Sequence, residues 1–114
     1  MRPIPLSLLP STMTWRDPAD PSSGVGGSFG PENVTKHVRF EGGAARSSGG
    51  FAGDYEVFGQ PGGTVWVDAV NSVGGVPRVG ALVTVDGSRE MTVRSVLPLH
   101  TWDGRLHHTE LEVS

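Results

Sequence analysis

The chain contains no cysteine, so neither a disulfide framework nor a thiolate metal site is open to it. Stability must come from a core, from ordered loops or from assembly. Long apolar runs are missing as well. The opening IPLSLLP is short, is interrupted around Pro3, Pro5 and Pro10, and is followed by no small-residue cleavage site, which predicts neither a secretory leader nor a membrane span. The expected place of action is therefore the cytoplasm, or something assembled there. Basic charge is scarce: nine Lys and Arg stand against twelve Asp and Glu, for a formal net charge of −3. The nine are scattered, and phosphate neutralisation needs a basic surface or stripe, so nonspecific nucleic-acid binding is disfavoured. Helical patterning is absent too, since no apolar 3.6-residue period persists beyond about two turns.

Punctuation is what the sequence has in plenty. With 17 Gly and 9 Pro in 114 residues and 36% hydrophobic residues, a substantial part of the chain is loop, and what is left suffices for one small domain over 1–114 with one modest core. The strand signals are local and alternate in period two. STMTWR sets Met13 and Trp15 against Thr12 and Thr14. VTKHVRFE puts Val34, Lys36, Val38 and Phe40 on one face and Thr35, His37 and Arg39 on the other. TVWVDA puts Val65, Val67 and Ala69 opposite Trp66 and Asp68. In the last third, Val83 and Val85 lead to the dipeptide Asp86-Gly87, which tolerates the positive φ of a type I′ turn, and Met91 and Val93 resume beyond it. Asp103-Gly104 makes the second turn, before a run in which Leu111 and Val113 share a face. The reading is all-β: a six-stranded barrel or sandwich ending in a three-strand meander, in which closure removes exposed edges.

Three further segments frame those strands. Residues 1–10 form an arm that the prolines bias toward extended conformations. Its Ile4, Leu6, Leu8 and Leu9 need a cover, either the arm's own barrel or a neighbouring subunit. Residues 17–32 and 42–63 are long Gly-rich loops. The second holds an apolar and aromatic island, Phe51, Asp54, Tyr55, Val57 and Phe58, that a plain flexible linker has no reason to carry.

Reactive chemistry is hard to assemble from these residues. His107 and His108 are adjacent, so on a regular strand they point to opposite faces and do not converge on one ion, and His37 and His100 have no sequence relation to them. No metal, cofactor or catalytic site is expected. Asp54, Glu56 and Asp68 flank the third strand without a positioned nucleophile. Ser47 and Ser48 sit in a Gly-rich run with no strand-turn-helix context, and GGTVW lacks the lysine and helix of a phosphate loop. Trp15 and Trp66 read as core or interface residues, and Trp102 as a cap on the last hairpin turn. The aromatics leave open a second class, an OB-like module that stacks single-stranded nucleic acid.

The order of the segments resembles the head-closure, or head-tail connector, family of tailed bacteriophages, often described as minor capsid proteins. PLSLLPSTMTWR resembles that family's Pro-rich lead and first strand, VTKHVRFEGG its second strand and WVDAVNS its third. GALVTVDGSREMTVRSVLPLHTWDGRLHHTELEV resembles its closing hairpin and last strand. The two Gly-rich excursions depart from the family's usual form. The resemblance implies a small barrel acting as a stopper in the virion neck, assembled as a homo-oligomeric ring of six or twelve copies under the portal or head-tail adaptor. It would retain packaged double-stranded DNA without reading its sequence, and present the attachment surface for the tail terminator or tail tube; no membrane is involved. It further implies that loop 42–63 is the channel gate, with Phe51, Asp54, Tyr55, Val57 and Phe58 as contacts and Gly49, Gly50, Gly53, Gly59, Gly62 and Gly63 as hinges. A tail terminator or tail completion protein is the alternative within the same machine.

Overall fold

The computed structural model describes residues 2–19, 29–42 and 62–114. Among them, six antiparallel strands close into a barrel: β1 (Ser11–Arg16), β2 (Asn33–Gly42), β3 (Gly63–Asp68), β4 (Leu82–Val85), β5 (Met91–His100) and β6 (Leu106–Val113), in the spatial order β1-β2-β3-β6-β5-β4. The core is where the alternation places it, except at the end of β3. The strand stops at Asp68, so Ala69, expected on the inner face with Val65 and Val67, is exposed, and Asp68, expected on the outer face with Trp66, is buried. Met13 and Trp15 of β1, Val65 and Val67 of β3, Val83 and Val85 of β4, Met91 and Val93 of β5, and Leu111 and Val113 of β6 form one buried cluster.

β2 breaks the pattern. His37 has φ 64°, a conformation non-glycine residues adopt rarely, and it forms a bulge: Ser11 pairs with Val38 while Thr12 pairs with Lys36. A bulge inserts one residue and shifts the phase of the strand. After it, Val38 faces inward as the alternation predicts. Before it the faces are exchanged, so Thr35 is fully buried and Val34 is 46% exposed. The expectation that Val34 and Lys36 share the inner face with Val38 is therefore corrected. Burying Thr35 works because its hydroxyl is fully used. It accepts a hydrogen bond from Trp15 Nε1 at 2.8 Å and donates one to the Gly75 carbonyl at 2.8 Å.

Gly75 belongs to the crossover from β3 to β4, residues 69–81, which passes over one end of the barrel. The backbones of Lys36 and Val73 bond each other at 2.8 and 3.1 Å. Gly74, with φ 132°, lies so close that an added Cβ would stand 2.0 Å from the Val34 carbonyl oxygen. Farther along, Arg78 donates its backbone N–H to Asp17 Oδ1 and its guanidinium to the Pro18 carbonyl, at 2.8 and 2.9 Å.

The two turns of the meander are present, with one difference. Asp86 and Gly87 have φ of 50° and 73°, and Ser88 N–H bonds the Val85 carbonyl at 2.9 Å, as a type I′ turn requires. The strands are not joined by this turn alone, because β4 and β5 pair only at Leu82 with Thr92 and Val83 with Met91. Val85 is drawn instead to Met13 of β1. Asp86 fixes that arrangement: its Oδ1 accepts from Thr12 N–H and its own N–H donates to the Thr12 carbonyl, each at 2.9 Å. The β5–β6 turn closes on Thr101, whose carbonyl accepts from Gly104 and whose N–H donates to Arg105, at 2.9 and 2.7 Å. Trp102 caps nothing there; it is 93% exposed.

The arm also differs from a simple extended segment. Pro5 is extended, but Leu6–Leu8 forms a single 3₁₀ turn. No proline occupies 6–8, so the backbone there is free to close i→i+3 bonds, Leu8 N–H to Pro5 and Leu9 N–H to Leu6, at 2.9 and 3.0 Å. Leu9 is buried.

Thr35→Val keeps the shape and removes the hydroxyl, leaving the Trp15 N–H and the Gly75 carbonyl without partners. The expected loss is about 2–4 kcal/mol in urea unfolding, against less than about 1 kcal/mol for Thr35→Ser. Gly74→Ala should destabilise more than Gly87→Ala. Both positions have positive φ, but only Gly74 adds a backbone clash to the roughly 1–2 kcal/mol conformational penalty.

Candidate functional site

Three features of the barrel stand apart from its core. The first is the base of the second Gly-rich excursion. Gly42 pairs with Gly63, and Gly63 pairs with Val113 on its other side. An added Cβ would stand 2.3 Å from the Glu41 carbonyl at Gly63, and 2.0 Å from the Val113 carbonyl at Gly62. At these two positions glycine is required by close backbone approach. The gate residues named from the sequence, Phe51, Asp54, Tyr55, Val57 and Phe58, lie outside the described residues, as do Gly49, Gly50, Gly53 and Gly59.

The second feature is the β5–β6 hairpin. Beyond Val93, β5 has only β6 as a described strand neighbour, because β4 is four residues long. Among the described residues its outer edge is therefore open from Ser95 to His100, blunted by Pro98, which has no N–H to offer. Leu97, Trp102 and Leu106 are all exposed along this hairpin.

The third is a polar cluster where the arm meets the ends of β3 and β6. Asp68 terminates β3 and is 2% exposed. Its Oδ2 accepts from Val70 and Asn71 N–H at 2.9 and 2.7 Å, an Asx-type turn. Its Oδ1 accepts from Ile4 N–H at 2.8 Å, and Asn71 Nδ2 donates to the Ile4 carbonyl at 2.8 Å. The peptide groups on both sides of Ile4 are thus held by the barrel. Burial pushes the Asp68 carboxyl upward, but the Asn71, Ile4 and Val70 N–H groups and the His107 ring outweigh it and hold it below the usual carboxylate range.

Beside Asp68, a shift of register between Leu99 and His100 sets Leu99 opposite His108 and His100 opposite Leu106. His107 is the extra residue, and the bulge turns both histidine rings toward each other. Their Nδ1 atoms are 2.7 Å apart and the rings meet edge to face. The expectation that adjacent histidines point to opposite faces assumed an unbroken strand and is corrected here. His107 Nε2 bonds the Arg2 carbonyl at 2.7 Å, and His108 Nε2 bonds Glu110 Oε2 at 2.9 Å. The His108 bond lowers the Glu110 carboxyl pKa; burial opposes it and the Trp66 indole adds to it. Among the described residues no group of three or more His, Cys, Asp or Glu is placed to hold a metal ion.

Comparison with protein-family models, curated proteins and solved structures found no match to this chain. The geometry therefore has to carry the functional reading. It offers a closed body with a strapped arm, an open-edged apolar hairpin, and two stems for its long excursions. Trp66 lies on the outer face opposite Glu110 and Arg39, half-buried, while Trp15 is in the core. The turn at Asp68 has a signal in DAVN that the reading of β3 as a regular strand missed, and no residue pattern points to the arm as its second partner. The histidine pair had no such signal.

Asp68→Asn should lower stability at neutral pH by about 2 kcal/mol, because the amide keeps one accepting oxygen while its NH2 cannot accept from the N–H groups held by the second carboxylate oxygen. The sign follows from its depressed folded-state pKa. The carboxylate's contribution is complete above the unfolded value, near 3.9, and is lost as pH falls through the folded one. Unfolding curves of wild type and Asp68→Asn should therefore converge on acidification.

Proposed function

We propose that this chain is a structural subunit of a phage neck, a stopper that assembles as a ring between the portal or adaptor and the tail and retains packaged DNA. The observation that carries the reading is the placement of the two excursions on one closed barrel. Successive strands β1, β2 and β3 run up and down, so the β1–β2 connection leaves one end and the β2–β3 connection the other. Each stem is paired at its base: Pro18 bridges Phe29, and Gly42 pairs with Gly63. A subunit seated between two different partners needs distinct segments at its two ends, and this barrel supplies them.

Two other features support the same reading. The open outer edge of β5 and the exposed Leu97, Trp102 and Leu106 provide a lateral surface on which heterologous contacts can close a ring. The net negative charge lets DNA traverse a lumen without being held. The order of the strand segments in the sequence, which resembles that of head-closure proteins, points the same way. In this reading residues 42–63 gate the channel, Phe51, Tyr55, Val57 and Phe58 touch neighbours, and the chain alone associates weakly because its ring forms on a partner.

Deleting 44–60 is the test. The barrel should remain folded, because the deletion leaves the Gly42 and Gly63 pairing in place. Particles carrying the deletion should lose DNA or fail to take tails by electron microscopy. Particles of normal infectivity from a folded deletion variant would overturn the gate.

A further inference from the structure

The two rings of His107 and His108 have their proton count set by what surrounds them. His107 Nε2 faces the Arg2 carbonyl at 2.7 Å, and a carbonyl only accepts, so that nitrogen carries hydrogen. His108 Nε2 faces Glu110 Oε2 at 2.9 Å, and a carboxylate oxygen likewise only accepts, so that nitrogen carries hydrogen as well. The remaining two nitrogens face each other at 2.7 Å. Two neutral rings would oppose lone pair to lone pair there, and two fully protonated rings would oppose N–H to N–H. Three protons over the two rings let one Nδ1 donate to the other.

We propose that His107 and His108 form an imidazole–imidazolium latch, sharing one proton, that fastens the N-terminal arm to the barrel and weakens when pH moves to either side of the range in which the pair holds that single charge. The surroundings fit one positive charge. Asp68 at the end of β3 and Glu110 on β6 are carboxylates facing the pair. The cleft beside His107 is lined by Pro3 and Leu106 and by Asp103 and Arg105 of the β5–β6 turn. His100 of β5 stands opposite Leu106, and the arm brings Arg2. The arm's other anchors, Ile4 N–H to Asp68 and the Ile4 carbonyl to Asn71, need no histidine proton of their own and break when the arm lifts, so they report its opening.

The sign follows from proton counting. The fastened arrangement holds one more proton than two neutral rings, so fastening tightens as pH falls from the alkaline side. It holds one fewer than two imidazolium rings, so fastening loosens again on the acid side.

The test uses the full chain, ¹⁵N-labelled, and follows the exchange protection of the Ile4 amide, corrected for intrinsic exchange, from about pH 5 to about 9. Protection should pass through a maximum and fall on the alkaline side by at least about threefold per pH unit, against a limit of about tenfold for one proton. His108→Phe frees the His107 Nδ1, and a neutral His107 still donates Nε2–H to Arg2, so the alkaline fall should vanish. A flat profile in wild type, or the same fall in His108→Phe, overturns the latch. Should His108→Phe fail to fold, wild-type ring ¹⁵N spectra decide. Coupling between the two Nδ1 nuclei supports the shared proton, and two independent neutral rings refute it.

Discussion

Everything in this barrel turns on one residue in an uncommon conformation. The positive φ of His37 adds a residue to β2 and exchanges its faces, and that exchange sends Thr35 into the core with a hydroxyl that must be satisfied. The hydroxyl takes the indole N–H of Trp15 from one neighbouring strand and gives its own hydrogen to Gly75 in the crossover. A buried polar group with all partners in place stabilises and specifies; with one missing it does the opposite. The bulge also leaves the His37 carbonyl free to accept from the Ser72 hydroxyl, so the first turn of the crossover is tied to the same residue.

The consequences spread outward from that link. With the crossover pinned across β1 and β2, β4 reaches the far side of β1, and the sheet closes with β5 and β6 between β4 and β3. The Asp86 carboxylate, held low in pKa by Thr12 N–H and the Ser11 hydroxyl, locks that closing strand to the start of β1. Because β4 is short, the hairpin beyond Val93 is left with an open edge. The β3 end, meanwhile, presents Asp68 to the arm. The same geometry that closes the core thus produces the lateral edge, the two separated stems and the strapped arm on which the functional reading rests.

Much of this was written locally in the sequence. Met13 and Trp15, Val83 and Val85, and Leu111 and Val113 alternate within regular strands, and their burial follows from period two alone. Asp86-Gly87 names its own turn because both residues tolerate the backbone it needs. What escaped was every place where the period is broken. Nothing about VTKHVRFE marks its histidine as the residue that takes positive φ, so Val34 and Thr35 were read on the wrong faces. The bulge at His107 depends on how β5 and β6 pair over ten residues, and its outcome, two rings in contact, is invisible from either strand alone. The prolines of the arm were legible individually, but the Leu6–Leu8 turn forms in the gap between them. Trp102 was read as a cap on its turn, but a cap needs the ring to fold back over the hairpin tip, and it stands 93% exposed instead.

The phase exchange in β2 is most directly tested by proton–proton NOEs around Trp15. An exchanged β2 gives strong contacts from the Trp15 indole N–H to the Thr35 methyl and to Gly75, with the Val34 methyls showing none to the core methyls of Val65 and Val83. Strong Val34-to-core contacts, with Thr35 in exchange with solvent, would mean that β2 runs in unbroken alternation, and the link from core to crossover would be absent.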